Sequence, residues 1–146
     1  NLTVNELLTI ASLVEKEGLK TDDRKLIAGV FYNRLNLGMP LQSNIAILYA
    51  EGKLGQNISL ADDAAIDTTI NSPYNDYTNL GLMPGPVDSP SLDAIEASIN
   101  QTKSDNLYFV ANVQDGKVYF ATTREEHDRN VAEHVNSKLT QSSSSN

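Results

Sequence analysis

Apolar residues recur at helical spacing through most of the first half of the chain. From Leu7 to Gly18, the residues Leu7, Leu8, Ile10, Ala11, Leu13 and Val14 share one broad face at 100° per residue. Thr9, Ser12 and Lys16 fall opposite, as a surface helix requires. Thr3-Val4-Asn5-Glu6 has the pattern of a capping box, and Gly18 suits a C′ position, so a first helix is expected between them. Two acids break the pattern. Glu15 falls between Ala11 and Leu8, and Glu17 between Leu13 and Ile10. Both carboxylates therefore point toward the interior or a cleft at its edge, unless the helix frays near Gly18 and they reach water. Periodicity chooses neither between these places nor between the two acids. A carboxylate held against apolar neighbours is expected to have a raised pKa and to qualify as a general acid.

Asp22-Asp23 opens a second helix, followed by Leu26, Ile27, Val30, Phe31, Arg34 and Leu35 and stopped by Gly38. After the Pro40-Leu41-Gln42 connection, Ser43 is expected to cap a third helix through Ile45, Ala46, Leu48 and Tyr49, ended by Gly52. Ser59-Leu60-Ala61-Asp62 suggests one or two further turns. From Asn71 to Pro90 the texture changes: Pro73, Pro84, Pro86 and Pro90, with Gly81 and Gly85, rule out regular structure. Tyr74, Tyr77, Leu80, Leu82 and Met83 are too apolar for a solvated linker, so this is expected to be a long ordered loop. Such loops are often functional; the competing reading is a packed loop that covers core.

Ser89-Pro90 is expected to supply an N-cap and a first helical position for a helix through Leu92, Ile95 and Ile99. Leu107–Asn112 and Lys117–Thr122 read as strands joined by an Asp115-Gly116 turn. Thr123-Arg124-Glu125-Glu126 is a second capping box, starting a last helix to about Leu139. The sum is an α+β fold: a mainly helical single domain over residues 1–139, with a β-hairpin in its C-terminal half and a long ordered Pro/Gly/Tyr loop. Residues 140–146 form a Ser-rich tail, expected to be disordered.

Composition narrows the chemistry. A formal net charge of −8 without a basic cluster argues against nucleic acid as a partner. The absence of cysteine removes thiolate nucleophiles and Cys-based zinc sites. No apolar run reaches the ~18 residues of a membrane span. The chain starts at Asn1 without a signal peptide, so it is expected to be part of a longer polypeptide. His127 and His134 are seven residues apart, two turns or ~10 Å along a helix, which does not match a metal-binding His-x-x-x-His pair. No metal and no cofactor are expected. Neither a Gly-x-Ser-x-Gly elbow nor a phosphate-cradling glycine loop is present. Carboxylate chemistry with polar and aromatic company is left: Glu15 with Gln42, Asn44, Tyr74, Asn75 and Tyr77 are the parts of a carbohydrate site. Tyrosine faces lie against sugar rings, and amides bridge hydroxyl or N-acetyl groups. In the plainer reading Gln42 and Asn44 cap the third helix and the tyrosines anchor the loop.

Successive motifs carry a resemblance. These are Ala11–Glu17 (ASLVEKE), Val30–Leu35 (VFYNRL), Gly38–Ser43 (GMPLQS), Ser72–Tyr77 (SPYNDY), Gly81–Pro86 (GLMPGP), Leu107–Val110 and Glu126-His127. In order and spacing, over nearly the whole chain, they resemble the MltG/YceG-like family of bacterial endolytic murein transglycosylases. The resemblance implies that Glu15, the first acid of Glu-Lys-Glu, is the catalytic residue. It also implies an N-terminal membrane anchor outside this fragment, a position on the extracytoplasmic face of the cell membrane, peptidoglycan glycan strands as substrate, and wall-synthesis proteins as partners. The chain departs from the family pattern at several places. Asn44-Ile45-Ala46 stands for a frequent Asp-Pro-Thr, Asp76 for Thr, Met83 for Pro, and Gly116-Lys117 for Gly-His.

The implied reaction cleaves the β-1,4 bond between N-acetylmuramic acid and N-acetylglucosamine without water, leaving 1,6-anhydro ends. Gln42, Asn44, Tyr74, Asn75 and Tyr77 would bind substrate, and Glu17 would tune Glu15 or hold a neighbouring backbone; the competing reading makes Glu17 an exposed charge at the helix end. Two other functions compete. One is a hydrolytic muramidase with Asp62, Asp63 or Asp76 as second carboxylate. The other is a weakly active glycan-binding or scaffold module, a reading fed by Asn44 and Lys117.

Overall fold

Helix α1 (Val4–Glu17) begins at a complete capping box: the Thr3 hydroxyl accepts from the Glu6 amide, and the Glu6 carboxylate from the Thr3 amide, both at 3.1 Å. The computed structural model of the chain describes residues 2–54, 65–112 and 114–136. Ile10, Ala11, Leu13 and Val14 are fully buried, but so are Thr9 and Ser12, which the helical pattern puts on an outer face. That face is covered by the segment around Val87. Ser12 Oγ accepts from the Val87 amide at 3.1 Å and donates to the Thr9 carbonyl at 2.7 Å, while Thr9 Oγ1 donates to the Asn5 carbonyl at 2.7 Å. Small hydroxyls can enter a core when backbone atoms satisfy them. Gly18 ends the helix in an extended conformation, not a left-handed one. Its requirement is space: a Cβ there would lie 2.9 Å from Ile27 Cδ1.

Helix α2 (Thr21–Leu37) crosses α1 and ends at Gly38 with φ 68°, the left-handed cap that only glycine adopts freely. Ile27, Ala28 and Phe31 pack with Ile10, Leu13 and Val14 of α1 into one core, joined by Leu41, Met83 and Val87. Each of the large aliphatic and aromatic side chains so buried contributes roughly 1.5–3 kcal/mol. Arg34 lies inside this assembly. Its Nε donates to the Leu107 carbonyl at 2.6 Å, and Nη1 to the Pro40 and Leu41 carbonyls at 2.9 and 3.2 Å. One guanidinium thus ties α2 to the turn before α3 and to the start of the hairpin.

Helix α3 (Asn44–Ala50) is short, and Ser43 occupies its N-cap position without capping it. The expected short helix at Ser59–Asp62 lies outside the described residues. Helix α4 (Leu92–Ile99) is capped by Ser91, not Ser89: the Ser91 hydroxyl accepts from the Ala94 amide at 3.2 Å, leaving Pro90 before the cap. Leu92 and Ile99 face outward, while Ala94, Ala97 and Ser98 are buried. These small side chains let α4 approach α1 and α2 closely, and Tyr32 of α2 donates to the Ser98 carbonyl at 2.9 Å.

Strands β1 (Tyr108–Ala111) and β2 (Val118–Ala121) pair antiparallel, with Phe109 opposite Phe120. They are shorter than the expected six residues, and Gly116 takes φ 73° in the turn. Helix α5 (Arg124–Val131) widens into a π-helical turn over Ala132–Asn136. Its capping box forms by one arm only: Thr123 accepts from the Glu126 amide, while the Glu126 carboxylate accepts from Thr122. The expected end at Leu139 and the tail beyond it lie outside the described residues. Helices and an antiparallel hairpin together make the α+β fold. Among the described residues no helix is long and apolar enough to cross a membrane.

Arg34→Lys should lower stability by about 1–3 kcal/mol, because one ammonium cannot serve carbonyls on two sides as the guanidinium fork does. Urea unfolding should give a lower midpoint at unchanged slope. An unchanged midpoint would mean that Arg34 does not hold these segments together.

Candidate active site

The last turn of α1 carries both acids, and each meets the N-cap residue of a different helix. Glu15 Oε2 accepts from the Ser91 hydroxyl at 2.5 Å and from the Ser91 amide at 3.2 Å, at the start of α4. Arg24 Nη2 stands 3.5 Å from the same oxygen. The guanidinium is itself held, by Nε on the Gly18 carbonyl at 2.9 Å and by Nη1 on Asp93 at 2.7 Å, and Asp93 also accepts from Thr21 at 2.8 Å. The Glu15 side chain is 25% exposed. A rigid helix therefore presents a pinned carboxylate with part of its surface open.

This environment contradicts the expectation of a raised pKa at Glu15. The Ser91 hydroxyl bond pulls it below the usual carboxylate value; burial opposes, and the Ser91 amide, Arg24 and Lys16 add to the lowering. Apolar periodicity could not reveal donors arriving from another part of the chain. The raised acid is a neighbour, Asp88, which lies between Val87 (bonded to Ser12) and Ser91 (bonded to Glu15). Both Asp88 oxygens are buried without a partner. Burial lifts its pKa to about 6, with Lys16 opposing and the Glu15 charge adding.

Glu17 turns to α3. Its Oε1 accepts from the Ser43 hydroxyl at 2.8 Å, which explains why that hydroxyl does not cap its own helix. The Ser43 amide donates to Asp76 Oδ2 at 2.7 Å, and the Gln42 amide to the Asp76 carbonyl at 3.2 Å. Between them Gln42 takes φ 53°, the one non-glycine positive φ among the described residues, with its side chain exposed. Tyr77 donates to Asn44 Oδ1 at 2.5 Å. Gln42, Asn44 and Tyr77 are thus brought together, and Glu17 joins them to the helix that carries Glu15.

Tyr74 and Asn75 are placed differently. The half-buried Tyr74 ring packs on Tyr49, with centroids 4.6 Å apart, and against the core. Asn75 is fully buried. Its Nδ2 donates to the Thr68 and Ile70 carbonyls, and its Oδ1 accepts from the Tyr77 and Thr78 amides. Every polar atom of that side chain shapes the loop, and no surface remains to touch a ligand. Of the competing second carboxylates, Asp76 is 2% exposed, while Asp62 and Asp63 lie outside the described residues. His127 stacks on Tyr108 and His134 on Tyr119, so the two rings serve separate aromatic contacts. A concavity of about 540 Å³ beside Tyr32, Asn33 and Gln101 includes none of the candidate residues.

Ser91, Arg24 and Asp88 are the parts that sequence reading missed. Ser91 had a signal, since either serine flanking Pro90 can cap. Arg24 and Asp88 had none, because their relation to Glu15 exists only across the packed helices.

A fold of this kind, with an acid pinned at the end of a buried helix beside a polar turn, defines a carboxylate-bearing α+β domain. The chain belongs to the YceG-like family, whose profile matches residues 1–133. It is 85% identical over 139 residues to the endolytic murein transglycosylase of Streptococcus pneumoniae, covering 95% of this chain and 25% of that protein. The protein of the same name from Bacillus subtilis is 42% identical over 137 residues, 94% of this chain and 36% of that one. The crystal structure of a yceG-like protein from Listeria monocytogenes superposes with a TM-score of 0.76 at 44% identity, over 88% of this chain and 40% of that one. The chain thus spans about a quarter to two fifths of the relatives it matches.

Ser91→Ala removes the hydroxyl that most favours the Glu15 anion. NMR titration of the Glu15 carboxyl carbon should give a higher pKa than in the wild type, alongside a stability loss of about 0.5–2 kcal/mol from the missing cap. A Glu15 titration at unchanged pH would refute this account of its electrostatics.

Proposed function

We propose that this chain is the catalytic portion of an endolytic peptidoglycan lytic transglycosylase, with Glu15 as its general acid and then base. The observation that carries the reading is an asymmetry among the carboxylates: Glu15 is partly open on a rigid helix, whereas Asp76 and the Asp88 oxygens are buried. A hydrolytic glycosidase uses two carboxylates about 5–9.5 Å apart, one on each side of the sugar bond. A lytic reaction needs one. The names carried by the relatives support the same choice.

In this mechanism protonated Glu15 gives its proton to the oxygen between N-acetylmuramic acid and N-acetylglucosamine as that bond breaks. Positive charge develops at C1 of the muramic ring. The resulting Glu15 carboxylate removes the proton from the C6 hydroxyl of the same ring, and C6–O⁻ closes on C1 to leave a 1,6-anhydro end. The proton count balances, and Glu15 ends protonated. The intramolecular nucleophile supplies a high effective concentration without a second protein acid. At rest Glu15 is an anion held by Ser91 and Arg24; a glycan strand that excludes water from it favours uptake of the proton.

Gln42, Asn44 and Tyr77 bind the strand, and Tyr74 contributes its ring edge. Asn75 supports them by shaping the loop, and Glu17 by holding Ser43. Asn44 bonds Tyr77 in this chain, so an amide at this position still organises the polar surface. In the whole protein, a membrane anchor before this portion would hold it on the extracytoplasmic face, where it limits glycan strand length together with wall-synthesis proteins.

Glu15→Gln should lower glycan cleavage by about 10²–10⁴-fold while the thermal unfolding profile stays that of a folded chain. Mass spectrometry of wild-type digests should find 1,6-anhydro ends. Products that have gained water would instead establish hydrolysis, and cleavage by Glu15→Gln near the wild-type rate would remove Glu15 from its role.

A further inference from the structure

Gln42 sits in a backbone region that a side chain makes costly and that persists only when surrounding contacts over-determine it. Those contacts converge on one residue. Asp76 binds the Gln42 amide through its carbonyl at 3.2 Å and the Ser43 amide through Oδ2 at 2.7 Å. On one side of Asp76 the buried Asn75 locks the loop, and on the other Tyr77 reaches Asn44. Asp76 Oδ1 is buried without a partner.

We propose that Asp76 is a positioning residue of the glycan site: the clasp through which the 71–90 loop fixes Gln42 and Asn44 for binding. This rests on the reading of the site given above, and it assigns Asp76 a part in affinity, not in bond cleavage. The clasp is sensitive to pH. A buried carboxyl with an orphan oxygen is far cheaper neutral than charged. Burial raises the Asp76 pKa to about 7; the Ser43 amide opposes, Glu17 at the end of α1 adds its repulsion, and Arg34 of α2 opposes from the far side. Below that pH the clasp is neutral and closed. Between the ordinary carboxyl value and 7, each pH unit makes opening up to about tenfold easier, because the opened carboxyl ionises and the closed one does not; above 7 the closed site also carries a second negative charge beside Glu17 and the trend levels off. Glycan affinity should therefore fall as pH rises toward 7 and level off above it, a dependence separable from the proton that Glu15 takes up on binding by comparing chains with and without Asp76.

The test is a KM and kcat profile against pH on uncrosslinked peptidoglycan strands for the wild type, Asp76→Asn and Asp76→Ala. Asparagine keeps the shape and the acceptor for Ser43 but cannot ionise. The wild-type KM should rise severalfold as pH goes from about 5 to 7 and level off above it, Asp76→Asn should keep its low KM across that range, and Asp76→Ala should have a raised KM at every pH. A wild-type KM that is flat from about pH 5 to 7, or a rise that persists unchanged in Asp76→Asn, would overturn the proposal while leaving the transglycosylase reading intact. If the wild type yields no anhydro ends, that reading fails instead. Binding of the same strands by Glu15→Gln chains with and without Asp76→Asn then decides the clasp. Affinity that falls with pH only when Asp76 is present upholds it; an identical pH dependence, or no binding, overturns it.

Discussion

One hydroxyl, that of Ser91, holds the working end of this molecule together. It donates to Glu15 and accepts from the Ala94 amide, so a single group serves as partner of an acid and as cap of a helix 76 residues further along the chain. The contact depends on how closely α4 approaches α1, and that closeness depends on Ala94, Ala97 and Ser98 facing inward. It depends equally on α1 being buried along its length, with Thr9 and Ser12 satisfied by backbone atoms. Ser12 to Val87 and Glu15 to Ser91 are successive rungs between α1 and the segment leading into α4. A larger residue at an α4 contact would lift α4 away and take the donor from Glu15 with it.

Four acids are gathered around the end of α1, and their surroundings push them apart. Glu15 meets donors and a cation and stays charged. Asp88, next to it, has buried oxygens without donors and resists ionising. The second pair repeats the arrangement, with Glu17 receiving the Ser43 hydroxyl and Asp76 buried nearby. Like charges crowded in one place are costly, and the cost falls where neutralisation is easiest. One acid of each pair thus takes a proton more readily than an ordinary carboxyl, Asp88 with its pKa raised to about 6 and Asp76 to about 7, which eases the crowding of a dense carboxylate cluster.

Much of the fold was legible because it rests on local chemistry. The Thr3–Glu6 box, the Gly38 stop, the Asp115-Gly116 turn and the helical runs act within a few residues, and the structure contains them. The errors come from tertiary packing. Thr9 and Ser12 look like surface residues until another segment covers them. Leu92 and Ile99 look like core until α4 presents its alanines, because close approach between helices rewards small side chains over large ones. Gly18 reads as a left-handed cap, yet it is there to admit Ile27. At the site, periodicity detected that Glu15 and Glu17 were out of place. It could not detect Ser91, Arg24 or Asp76, whose contacts join parts of the chain far apart in sequence, and so it misjudged the direction of the Glu15 pKa.

That misjudged direction bears on the proposed reaction, in which a single carboxylate serves as acid and then base. In that reaction a raised pKa keeps the acid protonated before the first step and makes its anion a stronger base in the second, when the same group takes a proton from a sugar hydroxyl. Glu15 rests as an anion of lowered pKa, so the bound strand must lift that pKa by excluding water, and the same exclusion that lets it hold the proton makes its anion a stronger base for ring closure. Ser91 suits this exchange better than a second cation would. A hydroxyl has one hydrogen and two lone pairs, so while one lone pair caps α4 it can donate to the Glu15 anion or turn and accept from the protonated acid. Arg24 can only donate, and at 3.5 Å, with its stronger bond going to Asp93, it biases Glu15 without clamping it. The pairing of a reversible hydroxyl with a more distant cation accommodates both protonation states of the carboxylate, as the proposed reaction needs.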